Sequence, residues 1–101
     1  RIAVLGQGGI GLSFTMIAEK QGAQQVIGID NLDYRLDKSL SLGATNTINP
    51  QKDDLLEAIQ EVTNGLGIDV VVDATGDPEG FSTCLSIVNR WGTFISFSLT
   101  G

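Results

Sequence analysis

A chain of 101 residues with 42% hydrophobic and 18% charged residues, 13 glycines and 2 prolines reads as one folded domain, too short for a second core and for most two-domain enzymes. It has no His and a single cysteine, Cys84, which excludes a Cys/His zinc site, a His general base and an internal disulfide within these residues. Four acids balance four bases in residues 1–50, while eight acids face two bases in residues 51–101, so the formal charge of −6 lies in the second half and no basic footprint for nucleic acid exists.

In chain order, β-rich runs over 2–5, 25–29, 46–48, 69–72 and 93–97 alternate with helical periodicity, the pattern of βαβ units around a parallel sheet. Consecutive apolar residues such as Val70, Val71 and Val72 suit strands covered on both faces. After the first run, Ile10, Phe14, Ile17 and Ala18 share a helical face and Gly22 offers a stop. Leu32, Leu36 and Leu40 then step by four towards Gly43. Leu55, Ile59 and Val62 mark a third helix with Asp53 and Asp54 in its first turn, and Gly65 and Gly67 make the next turn. A fourth helix opens on Asp77 as N-cap with Pro78 at N1, and presents Phe81, Cys84, Leu85 and Val88 on one face.

Cys84 is therefore expected as an inert core residue, and Trp91, Phe94 and Phe97 as core or sheet packing. No linker, repeat or low-complexity stretch interrupts the series. Right-handed crossovers give an α/β fold with a doubly wound parallel sheet of five strands in the order 3-2-1-4-5, helices on both faces.

Directly after the first strand, Gly6-Gln7-Gly8-Gly9-Ile10-Gly11 matches G-x-G-x-x-G and runs into a helix. Gly6 permits the tight turn, Gly8 lets a pyrophosphate approach the backbone, and Gly11 allows close helix–strand packing, while the helix N-terminus offers unpaired N–H donors to the diphosphate. Asp30 stands nineteen residues beyond Gly11, at the end of the second strand, where a carboxylate can accept from a ribose 2′-OH and repel a 2′-phosphate; this favours NAD(H) over NADP(H). Taken singly, the glycines fit an ordinary strand-to-helix turn and Asp30 a solvated capping acid. In this order on one β-α-β unit they point to a dinucleotide. Arg35 fits a solvated helix face as well as adenosine contact, and Asp73, an acid without a partner base, makes no catalytic case.

These residues resemble the cofactor-binding domain of the zinc-type, medium-chain alcohol dehydrogenases. The resemblance spans nearly the whole chain: Val4 to Ser13 at the phosphate turn, Val26-Ile27-Gly28-Ile29-Asp30 at the second strand, Leu42-Gly43-Ala44-Thr45, Ile48-Asn49-Pro50, and Gly67 to Gly76 around the fourth strand. It implies a domain that holds NAD(H), while another domain of a parent enzyme supplies catalytic zinc and most of the substrate pocket. By resemblance, Gly8, Gly9 and Ile10 line the pyrophosphate and the back of the nicotinamide, Asp30 binds the adenosine ribose with Asn31 and Arg35 beside it, Ala74 and Thr75 border the cofactor, and Phe97, Ser98 and Leu99 approach the nicotinamide. Ser98 departs from the glycine that members often carry there. No catalytic and no metal-binding residue is assigned within the chain.

The expectation is thus an NAD(P)-binding Rossmann domain over 1–101, part of a longer NAD-dependent alcohol or polyol dehydrogenase and not catalytic alone. With no leader or long apolar run, it is expected to be soluble and cytoplasmic, without membrane or nucleic-acid partners. Beginning at Arg1 and ending at Gly101, each beside an apolar run, it reads as a segment of a longer protein. The fifth strand, lacking a sixth beside it, is an edge through which the chain is expected to self-associate. Two other classes share the glycine turn and the acid: a regulatory NAD(H)-sensing module, and an S-adenosylmethionine-dependent methyltransferase, whose glycine spacing usually differs. A short-chain dehydrogenase is disfavoured because Tyr34 and Lys38, though correctly spaced, fall on the second helix, too early in the chain.

Overall fold

A computed structural model describes residues 1–97. Among the described residues nine elements follow one another: β1 (Ile2–Leu5), α1 (Gly9–Lys20), β2 (Val26–Ile29), α2 (Asp33–Ser41), β3 (Asn46–Ile48), α3 (Leu55–Val62), β4 (Ile68–Asp73), α4 (Pro78–Ile87) and β5 (Val88–Ser96). All pairings are parallel and the sheet order is β3-β2-β1-β4-β5, the doubly wound arrangement expected from the pattern. Strands β1 and β2 are apolar and almost wholly buried because helices lie on both sides of them.

Local chemistry ends the helices where the sequence places turn residues. At α1, the N–H of Gly22 donates to Glu19 O and that of Ala23 to Ala18 O, with Gly22 at φ +85°, a Schellman ending that satisfies the last carbonyls. Asp54 caps α3 by accepting from Glu57 N, and Asp77 caps α4 by accepting from Glu79 N, with Pro78 at N1. After α3 the chain turns through left-handed positions at the expected Gly65 (φ +80°) and Gly67 (φ +73°), with Asn64 (φ +53°) joining them.

The core on the α3/α4 face gathers Ala3, Leu5, Ile27, Ile29, Val71, Ile59 and Cys84. Cys84 is fully buried, and burial, with the Asp73 charge as a smaller cause, pushes its thiol from 9.0 up to about 12. It therefore stays a thiol where an unfolded chain ionises, so its contribution to stability is present below pH ~9 and is lost as pH rises through about 12. At neutral pH a maleimide or aromatic disulfide reagent is expected to react only after unfolding. Stoichiometric labelling in minutes without denaturant would contradict that burial.

Two expectations fail around α4. Val88 begins β5 rather than completing the helix, and β5 starts five residues earlier than the apolar run suggested. Its pairing jumps from Ile68↔Val88 to Val70↔Thr93, so a bulge absorbs the extra residues. Trp91 sits in that bulge at φ +70° and is 92% exposed, so it packs neither core nor sheet; its ring lies beside the Arg90 guanidinium, 5.8 Å from centroid to Cζ. No helix among the described residues is long and apolar enough to cross a membrane.

Candidate functional site

The C-terminal ends of β1, β2 and β4 open onto a cleft of ≈ 460 Å³ at the point where strand order reverses, the place where doubly wound sheets bind ligands. Its floor is the turn after β1. Gly6 leaves the strand at φ +92°, with its N–H on Ile29 O at 2.7 Å, and a Cβ there would press on Thr75 Cγ2 at 3.1 Å and the Ala74 carbonyl at 3.2 Å. Gly11, in the first turn of α1, has no room at all: its Cβ would lie 1.7 Å from Gly6 O. These two glycines are required by the protein's own packing.

Gly8 and Gly9 are different. Gly8 has an ordinary backbone (φ −75°, ψ −166°), the nearest described atom to its missing Cβ is Arg35 Nη1 at 3.8 Å, and at Gly9 nothing lies within 4 Å. As N-cap of α1, Gly8 supplies no side chain to the first helical N–H groups, and the first turn holds no acid, whereas α3 and α4 are each capped by an aspartate. The positive end of α1 is left open at the cleft.

Asp30 is 9% exposed at the end of β2. Its Oδ2 accepts from Gln7 N at 2.8 Å and its Oδ1 from Leu32 N at 2.9 Å, while Arg35 Nη1 stands 3.5 Å from Oδ2. The guanidinium is held above its ordinary pKa first by the Tyr34 hydroxyl and then by the Asp30 charge. Beyond Asp30, the side-chain nitrogen of Asn49 donates to Asn31 O at 3.2 Å and Asp33 Oδ1 at 2.9 Å, tying the β2–α2 and β3–α3 loops together. Lys52 bonds Asp33 as well, which together with Asn49 lowers the Asp33 pKa and raises that of Lys52.

Across the cleft, buried Asp73 turns back on its own chain, its Oδ1 accepting from Thr75 N at 3.0 Å and Thr75 Oγ1 at 2.7 Å. Thr75 Oγ1 accepts in turn from Asp77 N at 3.0 Å, so the β4–α4 turn is laced from three successive polar residues. Both hydrogen bonds fall on one oxygen of Asp73, so its carboxylate holds the start of the β4–α4 turn.

Of the residues named from sequence, Gly6, Gly8, Asp30, Asn31, Arg35, Ala74 and Thr75 line this cleft. Gly9, Ile10 and Gly11 form the first turn of α1 behind it. Phe97 stands apart, edge-on to Phe14 with centroids 5.7 Å apart, and Ser98 and Leu99 lie outside the described residues. Sequence reasoning missed Pro50, Leu55, Asp77, Glu79 and Thr83, which complete the walls from loop and helix starts that share no motif. It also passed over Gln7, read as the variable residue of the glycine motif although its backbone N–H holds Asp30.

A family model described as zinc-binding dehydrogenase matches residues 9–101. An L-threonine 3-dehydrogenase of Bacillus licheniformis is 39% identical over 98% of this chain and 29% of its own length. Among solved structures, the alcohol dehydrogenase TADH of Thermus sp. ATN1 superposes with a TM-score of 0.90 at 30% identity over 99% of this chain and 29% of its own. A zinc-binding dehydrogenase of Sinorhizobium meliloti 1021, solved bound to NADP, gives 0.89 at 30% identity over 97% and 29%. The chain thus spans less than a third of the length of these relatives.

Proposed function

The chain belongs to the zinc-binding dehydrogenase family, and from that membership we propose that residues 1–101 are the NAD(H)-binding domain of a longer alcohol or polyol dehydrogenase of the cytoplasm. What supports this most directly is the open end of α1: glycines at 8 and 9 that the protein's own packing does not require, beside a carboxylate fixed in the same cleft. Space where a Cβ would stand, with uncapped N–H donors behind it, fits a diphosphate. Asp30 fits the adenosine ribose hydroxyls, and its charge favours NAD(H) over NADP(H). Ala74 and Thr75 form the opposite wall.

A bound nicotinamide supplies the carbon that gives or takes hydride, and this chain's residues orient it. Zinc, which the family name implies, does not fit the described residues: the sequence has no His, its one Cys is buried as a thiol, and no group of three or more Cys, Asp or Glu among the described residues is placed to hold a metal. Polarising an alcohol oxygen falls in this reading to the rest of the enzyme. The outer edge of β5, paired on one side by β4, is where a second copy would join the sheet.

Gly8→Val in the full chain tests the reading. An added Cβ at position 8 meets no atom closer than Arg35 Nη1 at 3.8 Å, whereas the side chain would occupy the space of the diphosphate, so NADH affinity by fluorescence titration is expected to fall at least about tenfold, ~1.4 kcal/mol, with little change in melting temperature. Wild-type protein that fails to bind NADH, or a folded variant that binds as wild type does, would overturn it.

A further inference from the structure

We infer that the side chain of Gln7 is a positioning residue for the adenosine end of the site, acting through Asp30. This rests on the NAD(H)-binding reading above. In the glycine motif, position 7 needs no particular side chain for the turn itself, yet Gln7 is fully buried and every polar atom of its amide is used. Its Nε2 donates to Gly6 O at 3.0 Å and Val4 O at 3.2 Å, and its Oε1 accepts from Thr15 Oγ1 of α1 at 2.8 Å. Thr15 is itself fully buried. A long amide inside a small core is retained only where all its bonds are satisfied, because an unpaired buried polar group is destabilising.

The surrounding residues make room for it. Gly28 lies in the middle of β2, where glycine weakens a strand and usually marks a close approach. A Cβ at Gly28 would come 3.2 Å from Gln7 Cδ and Oε1, and 2.5 Å from Ser39 Oγ. Gly28, Gln7 and Thr15 thus form one unit, in which β2 gives up a side chain so that the amide can bridge the phosphate turn and α1.

The consequence lies in the peptide between Gly6 and Gln7. Its carbonyl is held by the Gln7 amide, so its N–H is aimed at Asp30 Oδ2, at 2.8 Å. With Leu32 N on Oδ1, this N–H sets the plane of the carboxylate and leaves its remaining lone pairs in fixed directions for hydroxyl donors. Without the amide bridge, the peptide is free to rotate and Asp30 loses one of its two backbone anchors.

The test replaces both partners in the full chain, Gln7→Leu with Thr15→Val, and compares NADH, AMP and reduced nicotinamide mononucleotide. AMP reaches the adenosine end and the mononucleotide does not, so a positioning role weakens NADH and AMP by the same factor, about tenfold or more, and leaves the mononucleotide unchanged. General loosening of the fold weakens all three ligands alike and overturns the inference, as does a folded double variant with unchanged NADH and AMP affinity. Should the double variant not fold, Thr15→Val alone removes one of the three amide bonds: a loss of about threefold for NADH and AMP alone is expected, and equal affinity overturns the inference. Wild-type protein that binds none of the three refutes the NAD(H) reading itself, a different result from any of these.

Discussion

Gly11→Ala is expected to disable the domain through a single methyl group. The added Cβ would stand 1.7 Å from Gly6 O and 2.7 Å from Gly6 C. Non-bonded heavy atoms settle near 3.5–4.0 Å, so α1 must withdraw from the turn by about 2 Å. No flexible side-chain end can yield instead, because the obstacle is backbone whose N–H is bonded to Ile29 O and whose carbonyl is bonded to Gln7. The alanine raises helix propensity by up to about 1 kcal/mol, well short of the strain, which for overpacked sites is about 1–3 kcal/mol and here falls at or above the upper end. Stability by urea denaturation should fall by about 3 kcal/mol or more, and because the shifted elements are the ones that frame the cleft, NADH binding should fall on the order of a hundredfold. Gly9→Ala is the control. It lies two residues away in the same helix with nothing within 4 Å, and should leave the denaturation midpoint unchanged or raise it. A Gly11→Ala protein as stable as the Gly9→Ala protein would show that the turn is not packed as described.

How far such features could be read from sequence depends on whether they are local. Gly6, Gly11 and the Asp77-Pro78 helix start announce themselves because a turn or cap needs those residue types at those spacings. The sheet order was legible for the same reason: alternating strand and helix periods leave few right-handed solutions. The start of β5 was not, since Val88 continues the apolar spacing of α4 and a β-branched residue at a helix end fits either element. Trp91 misled for a related reason. An aromatic residue near a strand predicts packing, but the register jump opposite Ile68 and Val70 turns it outward, and bulges have no reliable residue signature.

In the site, the glycines and Asp30 were visible as a motif. Gln7 was visible as a letter but not as a role, because its burial depends on Thr15 and Gly28, eight and twenty-one residues away. Asp77 and Glu79 reach the cleft because α4 starts beside the end of β4, next to β1 in the sheet, which strand order determines and spacing does not.

Asp30→Gly should change which coenzyme the site prefers. In the native site the carboxylate is 9% exposed, is anchored by Gln7 N and Leu32 N, and has Arg35 at 3.5 Å. Its remaining lone pairs suit ribose hydroxyls, and hydrogen bonds to a charged group contribute about 1.5–3 kcal/mol, so their loss should weaken NADH by roughly ten- to a hundredfold. For NADPH the same change acts in the opposite direction. The negative charge that opposes a 2′-phosphate is gone, and Arg35, no longer paired with Asp30, is left beside the vacated space as a donor suited to phosphate. NADPH affinity should therefore hold or rise, and the ratio of the two dissociation constants should move by about tenfold or more towards NADPH. Because Arg35 is 41% exposed, the NADPH gain should shrink as salt is raised from 50 to 500 mM, whereas the NADH loss, which comes from buried hydrogen bonds, should not. Asp30→Asn separates the two causes: it can still accept from a backbone N–H but carries no charge, so it should relieve the repulsion while keeping part of the ribose contact. Calorimetric titration of both coenzymes against the three proteins decides the matter, and a variant at position 30 that binds NADH as tightly as wild type would remove Asp30 from the ribose site.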